Sequence, residues 1–132
     1  MDRALSAPHP DEDAMTLFVL LPAYNEEDSI PALVPKIFAA LAPTGMTFRV
    51  ILVDDGSRDR TAERVRELQP RCPVEVLTHP INRGLGETIR DGIEYCVREG
   101  VPGDIIVRLD CDDSQRSYRS TRCREAWGRY SP

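Results

Sequence analysis

Four short apolar runs, each cut off by polar residues, constrain this chain more than any other feature. They occupy residues 15–21, 48–53, 74–77 and 105–109, a length that suits buried strands better than helices. Between them lie apolar stripes of a different period. Ile30, Leu33, Val34, Ile37, Phe38 and Leu41 recur at three- and four-residue steps, as do Ala62, Val65 and Leu68, and then Leu85, Ile89, Ile93, Cys96 and Val97. That spacing puts each set on one face of a helix. Asp28 or Ser29 is expected to cap the first helix, with Pro31 in its first turn. Pro43-Thr44-Gly45, Pro70, Pro73, Gly100 and Pro102-Gly103 punctuate the units. The alternation predicts an α/β fold, a mostly parallel sheet with helices on both faces and right-handed crossovers.

In such a sheet ligands bind beyond the carboxyl ends of the strands. The polar segments that stop the runs, 24–28, 54–57 and 110–115, therefore belong to one edge and all carry carboxylates. Arg83 and its neighbouring glycines follow the third strand at the same edge. Backbone groups near Pro22 and Ala23 and the ring of Tyr24 could form a wall for a base, or only a turn leading into the helix. In Asp54-Asp55-Gly56-Ser57, Gly56 supplies an unusual backbone angle and Ser57 a cap. Two acids before that glycine exceed what a cap requires, and a carboxylate there can accept N–H groups from a uracil or guanine edge. Gly84-Leu85-Gly86 beside Arg83 can bring N–H groups and a cation to a diphosphate, although it lacks the dinucleotide fingerprint. His79 reads as a loop residue rather than a base.

After the fourth run the chain reaches Asp110-Cys111-Asp112. Carboxylates two apart, where a strand leaves the sheet, can converge on one point. Hard oxygen ligands of that kind suit Mg2+ or Mn2+, which keeps waters and takes further ligands from substrate phosphates. The competing reading is an ordinary acidic turn.

Composition narrows the classes. A chain of 132 residues with 41% hydrophobic and 30% charged residues is one soluble globular domain. Its net charge of −5 gives no hint of a nucleic-acid partner but is uneven. Five Arg and one Glu put +4 on residues 116–132, which leaves −9 on residues 1–115. An acidic body that handles phosphates needs a metal or local arginines. No stretch is long and apolar enough for a membrane span, and the acidic N-terminus is no signal peptide. Cytoplasm is the default. Cys72, Cys96, Cys111 and Cys123 form no CxxC pair, so reduced and partly buried thiols are expected.

The motifs VLLPAYNEE, ILVDDGSRDRT, NRGLG and VRLDCDD, in that order and spacing, resemble the N-terminal part of a family 2 glycosyltransferase. The likeness covers residues 15–115 and is greatest to polyprenyl-phosphate (dolichol-phosphate) mannosyl- and glucosyltransferases. It implies a Rossmann-like GT-A fold and a nucleotide-diphosphate-sugar site. In that pattern Pro22, Tyr24 and Glu26 would line the nucleotide pocket, and Asp55, with Asp54, would hold the base. Arg83 and Gly84 would lie near the diphosphate. Asp110 and Asp112 would be the Asp-x-Asp pair for Mg2+ or Mn2+. The implied reaction is inverting transfer from GDP-mannose or UDP-glucose to an acceptor such as polyprenyl phosphate, at the cytoplasmic face of a membrane.

Two departures qualify the resemblance. Ser114 stands where the pattern often has Gln, and Gln115 follows, which leaves a third protein ligand open. Residues 116–132 then lose the family pattern and show no helical or strand period. The organisation expected is a flexible leader at 1–14, a nucleotide-sugar-binding part at 15–115 and a basic irregular tail at 116–132. That tail reads as a truncated or frameshifted end, with a basic segment touching anionic lipid or nucleic acid as the alternative. A truncated, non-catalytic nucleotide-binding module is the rival function. A phospho-receiver domain fits less well, because Lys36 is the only lysine and lies early in the chain.

Overall fold

A computed structural model of the chain describes residues 15–111 and the backbone of 118–122. The proposed leader at 1–14, Asp112 and residues 123–132 lie outside the described residues. The elements follow in the order β1 (Thr16–Ala23), α1 (Ile30–Leu41), β2 (Thr47–Asp54), α2 (Thr61–Leu68), β3 (Val74–Thr78), α3 (Leu85–Glu99), β4 (Ile105–Leu109) and β5 (Tyr118–Arg122). A single 3-10 turn, Ala42–Thr44, follows α1. All four expected strands and all three expected helices form.

The strands lie in the order β3-β2-β1-β4-β5. The first four are parallel, with Thr16 opposite Thr47, Val50 opposite Val74, and Leu17 opposite Ile105. β5 departs from the expected irregular tail, since it pairs antiparallel with β4, Ile105 opposite Arg122 and Leu109 opposite Tyr118. Its residues alternate no apolar side chains, so no strand period is visible in the sequence. The pairing uses backbone groups, which the open edge of β4 offers to any extended segment.

Alternation along β1 sorts the core into two layers. Val19 and Leu21 face Ile30, Val34 and Ile37 of α1 and Val65 and Leu68 of α2. Phe18 and Leu20 face Cys96 and Val97 of α3, together with Ile51, Val53 and Ile106. Helices thus cover both faces, and strands buried on both sides read as continuous apolar runs. Each fully buried Leu, Ile or Phe contributes about 1.5–3 kcal/mol of transfer free energy. The face that α3 buries is centred on Thr88, Gly92 and Cys96, while Leu85 is 57% exposed rather than part of the stripe. Gly92 sets that rotation: a Cβ there would come within 2.3 Å of Leu20 Cδ1.

Helix entry differs from expectation. α1 begins after Ser29 with no side-chain cap from it, and Pro31 occupies the first turn as expected. Ser57 does not cap α2 either. Its hydroxyl accepts the Asn25 N–H at 2.9 Å, while Asp59 Oδ1 accepts the Thr61 N–H at the start of α2, also at 2.9 Å. Cys72, Cys96 and Cys111 are buried, reduced thiols, as expected of this spacing.

Candidate functional site

The connections after β1 and β2 run over one face through α1 and α2, and the connection after β3 crosses the other through α3. The chain therefore parts between β1 and β4, and open sheets of this kind bind ligands at such a divide. A cleft of about 570 Å³ opens there. Its walls are Pro22, Ala23, Tyr24 and Glu26 at the end of β1, Asp55 after β2, Gly84 before α3, and Asp110 after β4. Seven residues singled out in the sequence thus meet in one space. Asn82, Leu85, Thr88, Arg108 and Cys111 complete the lining.

The loops forming the rim are tied to each other before any ligand arrives. Asn25, in the left-handed region at φ 54°, accepts the Arg58 N–H through Oδ1 at 2.9 Å. The Glu26 N–H donates to Thr61 Oγ1 at 2.8 Å, and the Glu27 N–H to Asp59 at 3.2 Å. Tyr24, 41% exposed, and Leu85 stand as apolar surface at the cleft. Rings and aliphatic groups held in this way suit the face of a planar base.

Asp54 and Asp55 are both buried to 3% exposure but serve different ends. Asp54 Oδ1 accepts the Ser57 N–H at 3.0 Å, and Asp54 is not among the residues that line the cleft. It shapes its own turn. Asp55 reaches the other way. Oδ1 accepts the Arg83 N–H at 2.8 Å and lies 2.8 Å from His79 Nδ1, while Oδ2 accepts the Gly84 N–H at 2.9 Å and Asn82 Nδ2 at 3.0 Å. Four donors use the capacity of a carboxylate. A base N–H could join only by displacing one of them. Burial pulls the Asp55 carboxyl upward, but hydrogen bonds from His79, Arg83 and Gly84 outweigh it and hold the group below the usual Asp range.

Gly56 makes this arrangement feasible. At φ 71° its missing Cβ leaves room for the backbone of Ile81 and Asn82, which a Cβ would approach to 2.5 Å. The turn after β2 and the loop after β3 are therefore pressed together, and Asp55 reaches the start of α3. There Thr88 Oγ1 donates to the Gly84 carbonyl at 2.7 Å. The first turn of α3 faces the cleft with the partial positive charge of a helix amino end. The Arg83 side chain, expected near a diphosphate, is not in the cleft wall and turns toward Glu87 at 3.9 Å. Among the described residues the cation in the cleft wall is Arg108, whose Nη2 donates to Asp110 Oδ1 at 3.2 Å.

Arg108 in β4 and Asp110 just past its end lie two apart and are both partly exposed. A charged residue inside an otherwise apolar strand was the signal for Arg108. His79 gave none, because its partners lie 24 and 12 residues away. Cys111 faces inward: burial pushes its thiol up to about 12, and it donates to the Pro22 carbonyl at 3.4 Å. A protonated, buried thiol is no metal ligand. Among the described residues no group of three or more His, Cys, Asp or Glu could hold a metal ion. Asp110 and Glu26 bring carboxylate oxygen to the cleft wall, and Asp112, the expected second ligand, lies outside the described residues. Such a sparse donor set fits Mg2+ or Mn2+, which is held largely by substrate oxygens and water.

A mostly parallel sheet with a cleft at its divide, acidic at one lip and bounded by a helix amino end at the other, defines an open α/β class that binds ligands at the carboxyl edge of its strands. The family model for glycosyl transferase family 2 matches residues 18–127, and the chain belongs to that family. It is 35% identical over 103 residues to the undecaprenyl-phosphate 4-deoxy-4-formamido-L-arabinose transferase of Pectobacterium atrosepticum, a match covering 76% of this chain and 30% of that protein. Among solved structures, the mannosyltransferase PcManGT of Pyrobaculum calidifontis in complex with GDP-Man and Mn2+ is similar, with a TM-score of 0.59 and 26% identity over 83% of this chain and 32% of that one. The glucosyl-3-phosphoglycerate synthase of Mycobacterium tuberculosis, in complex with Mn2+, UDP and phosphoglyceric acid, has a TM-score of 0.53 and 27% identity over 74% of this chain and 33% of that one. The expected family and GT-A fold are borne out, and the chain spans about a third of the length of these relatives. The family match runs past residue 115, where the motif likeness ends. No helix among the described residues is long and apolar enough to cross a membrane.

Proposed function

We propose that this chain is the donor-binding part of an inverting glycosyltransferase that takes a sugar from GDP-mannose or UDP-glucose with the help of Mg2+ or Mn2+. The observation that carries the reading is the single cleft in which Tyr24, the amino end of α3 and Asp110 face one another. Tyr24 and Leu85 flank the base, and Pro22, Ala23 and Glu26 form the wall beside the nucleoside. Asp55 acts at one remove, by fixing Arg83 and Gly84 and so the first turn of α3 near the diphosphate. Asp110, with Asp112, holds the cation. When bound, the metal neutralises charge on the departing nucleoside diphosphate. Arg108, released from Asp110, adds a guanidinium on the same side.

The acceptor is a polyprenyl phosphate, a class suggested by the undecaprenyl-phosphate transferase relative. Its phosphate oxygen attacks the sugar carbon in line, the bond to the nucleoside diphosphate breaks, and the configuration inverts. An acceptor that is already an anion needs little help from a base. The protein then works peripherally at the cytoplasmic face of a membrane.

Calorimetric titration of GDP, UDP and their sugars, with and without Mn2+, tests this reading. Metal-dependent binding that is lost in Asp110→Ala is expected. Binding that ignores both the metal and that substitution refutes it. The length matched in the relatives favours a second outcome for the 132-residue chain, nucleotide binding with poor or no turnover. That would make it a non-catalytic binding module when alone.

A further inference from the structure

His79 opens the loop between β3 and α3, and its side chain is only 9% exposed. Both ring nitrogens face carboxylates: Nδ1 lies 2.8 Å from Asp55 Oδ1, and Nε2 lies 2.7 Å from Asp91 Oδ2. A neutral imidazole has one N–H and one lone pair, so it serves only one of two ionised acceptors. The doubly protonated ring serves both. The backbone N–H of His79 donates to the Asp54 carbonyl at 2.9 Å, which anchors the ring's position. Asp55 is thereby held between the ring on one side and the N–H groups of Arg83 and Gly84 on the other. Asp91 belongs to α3, the helix whose first turn borders the cleft. The ring thus joins the turn after β2 to the body of α3 and braces the loop between them.

We propose that His79, as an imidazolium, is a positioning residue of the nucleotide site, bracing Asp55 and Asp91 so that the amino end of α3 is presented to the ligand. Loss of its proton lowers ligand affinity. This rests on the donor-site reading above. The charged groups facing the ring are Asp55 from the end of β2 and Asp91 from α3, whereas the Arg83 side chain turns to Glu87. The hydrogen bond to Asp55 raises the His79 pKa above its ordinary value of about 6.5, against burial, and Asp91 adds to the rise. A raised folded-state value means the brace is complete below the ordinary histidine value and is lost as pH rises through the raised one.

The test is an NMR titration of the 132-residue chain from about pH 5 to about pH 9, the span over which histidines change charge. It follows the histidine ring signals and the exchange of the Arg83 and Gly84 amide protons, and it is paired with titration of UDP and GDP in Mn2+. His9, the other histidine, is told apart by the ring signals that vanish in His79→Asn. His79 is expected to titrate above its ordinary value, with protection of the two amides falling through the same pH. Nucleotide affinity should fall on the order of tenfold there, as when an outer-shell partner is lost. Asp91→Asn, at a residue 39% exposed, should move the midpoint to lower pH, and His79→Asn should leave affinity low and independent of pH. A midpoint at or below the ordinary value, amide protection that ignores it, or an unmoved midpoint in Asp91→Asn overturns the positioning role. If ring and amides behave as expected while neither nucleotide binds at any pH, the donor-site reading fails and takes the ligand half of the proposal with it. The brace itself would stand.

Discussion

The two ends of the sheet both carry ionic networks, and the one at the carboxyl end stands beside the cleft. At the amino end, Arg49 contacts Glu75 at 2.6 Å and Glu99 at 2.9 Å, and Glu75 also accepts the Tyr95 hydroxyl at 2.7 Å. The guanidinium lies 5.4 Å from the Phe18 ring centroid. These groups complete one another, and none of them lines the cleft. At the carboxyl end, Asp55, His79 and Asp91 form a comparable chain, but it stands behind a cleft wall, and Arg108 and Asp110 pair within that wall. The amino-end cluster covers the edge of a core. The carboxyl-end cluster holds backbone N–H groups in place around a volume that can admit a ligand. Ionic density alone therefore does not mark a site; a polar network beside an open cleft does.

Substitutions that act on one end and spare the other sharpen this contrast. The largest effect is expected from Asp55→Ala, which leaves His79 and the N–H groups of Arg83 and Gly84 without their acceptor. Removing one member of a buried charged pair costs about 3–5 kcal/mol of stability, measurable by urea denaturation, and nucleotide binding should vanish with it. The wild-type contribution of this carboxylate is complete above the ordinary Asp value of about 3.9. It is lost as pH falls through the lowered folded-state value. An acid-denaturation profile of Asp55→Ala should lack that limb.

Gly92→Ala comes next and affects the fold rather than the site. A methyl within 2.3 Å of Leu20 Cδ1 requires the buried Leu20 side chain or α3 to shift, for about 1–3 kcal/mol by thermal unfolding. Asp110→Asn should leave stability near wild type, because its partner Arg108 is partly exposed. It should weaken Mn2+-dependent nucleotide binding by about 10–100-fold, read by calorimetry. The smallest effect is expected from Arg49→Met. Its pairs are about a third exposed, so the cost should be about 1 kcal/mol or less, with nucleotide binding unchanged. An Arg49→Met protein that lost nucleotide affinity would erase the distinction between the two ends.

Much of the carboxyl-end site could be read locally. Pro22, Tyr24, Asp55, Gly84 and Asp110 each sit where an apolar run stops or a helix starts, and the parallel alternation brings those points to one edge. What could not be read locally is which way each side chain turns. Asp54 and Asp55 are neighbours, yet successive residues leaving a strand point to opposite faces. One closes its own turn and the other braces a loop 28 residues on. Arg83 looked like the diphosphate's cation, but its backbone N–H is held by Asp55 and its side chain lies outside the cleft wall. Arg108 occupies that wall beside Asp110, to which it donates a hydrogen bond at the end of β4. β5 escaped notice because its pairing is made by backbone groups, which no side-chain pattern records.

By itself the sequence determined the alternation of strands and helices, the two-sided burial of the sheet and the edge at which polar residues gather. These follow from period and punctuation, which act over a few residues. Only the tertiary structure decided the order β3-β2-β1-β4-β5, the place of the cleft between β1 and β4, and the partners of Asp55 and His79. A buried carboxylate must collect donors from whatever packs against it. Here those donors come from a loop brought close by the bare backbone of Gly56, a contact that exists only once the crossovers have closed.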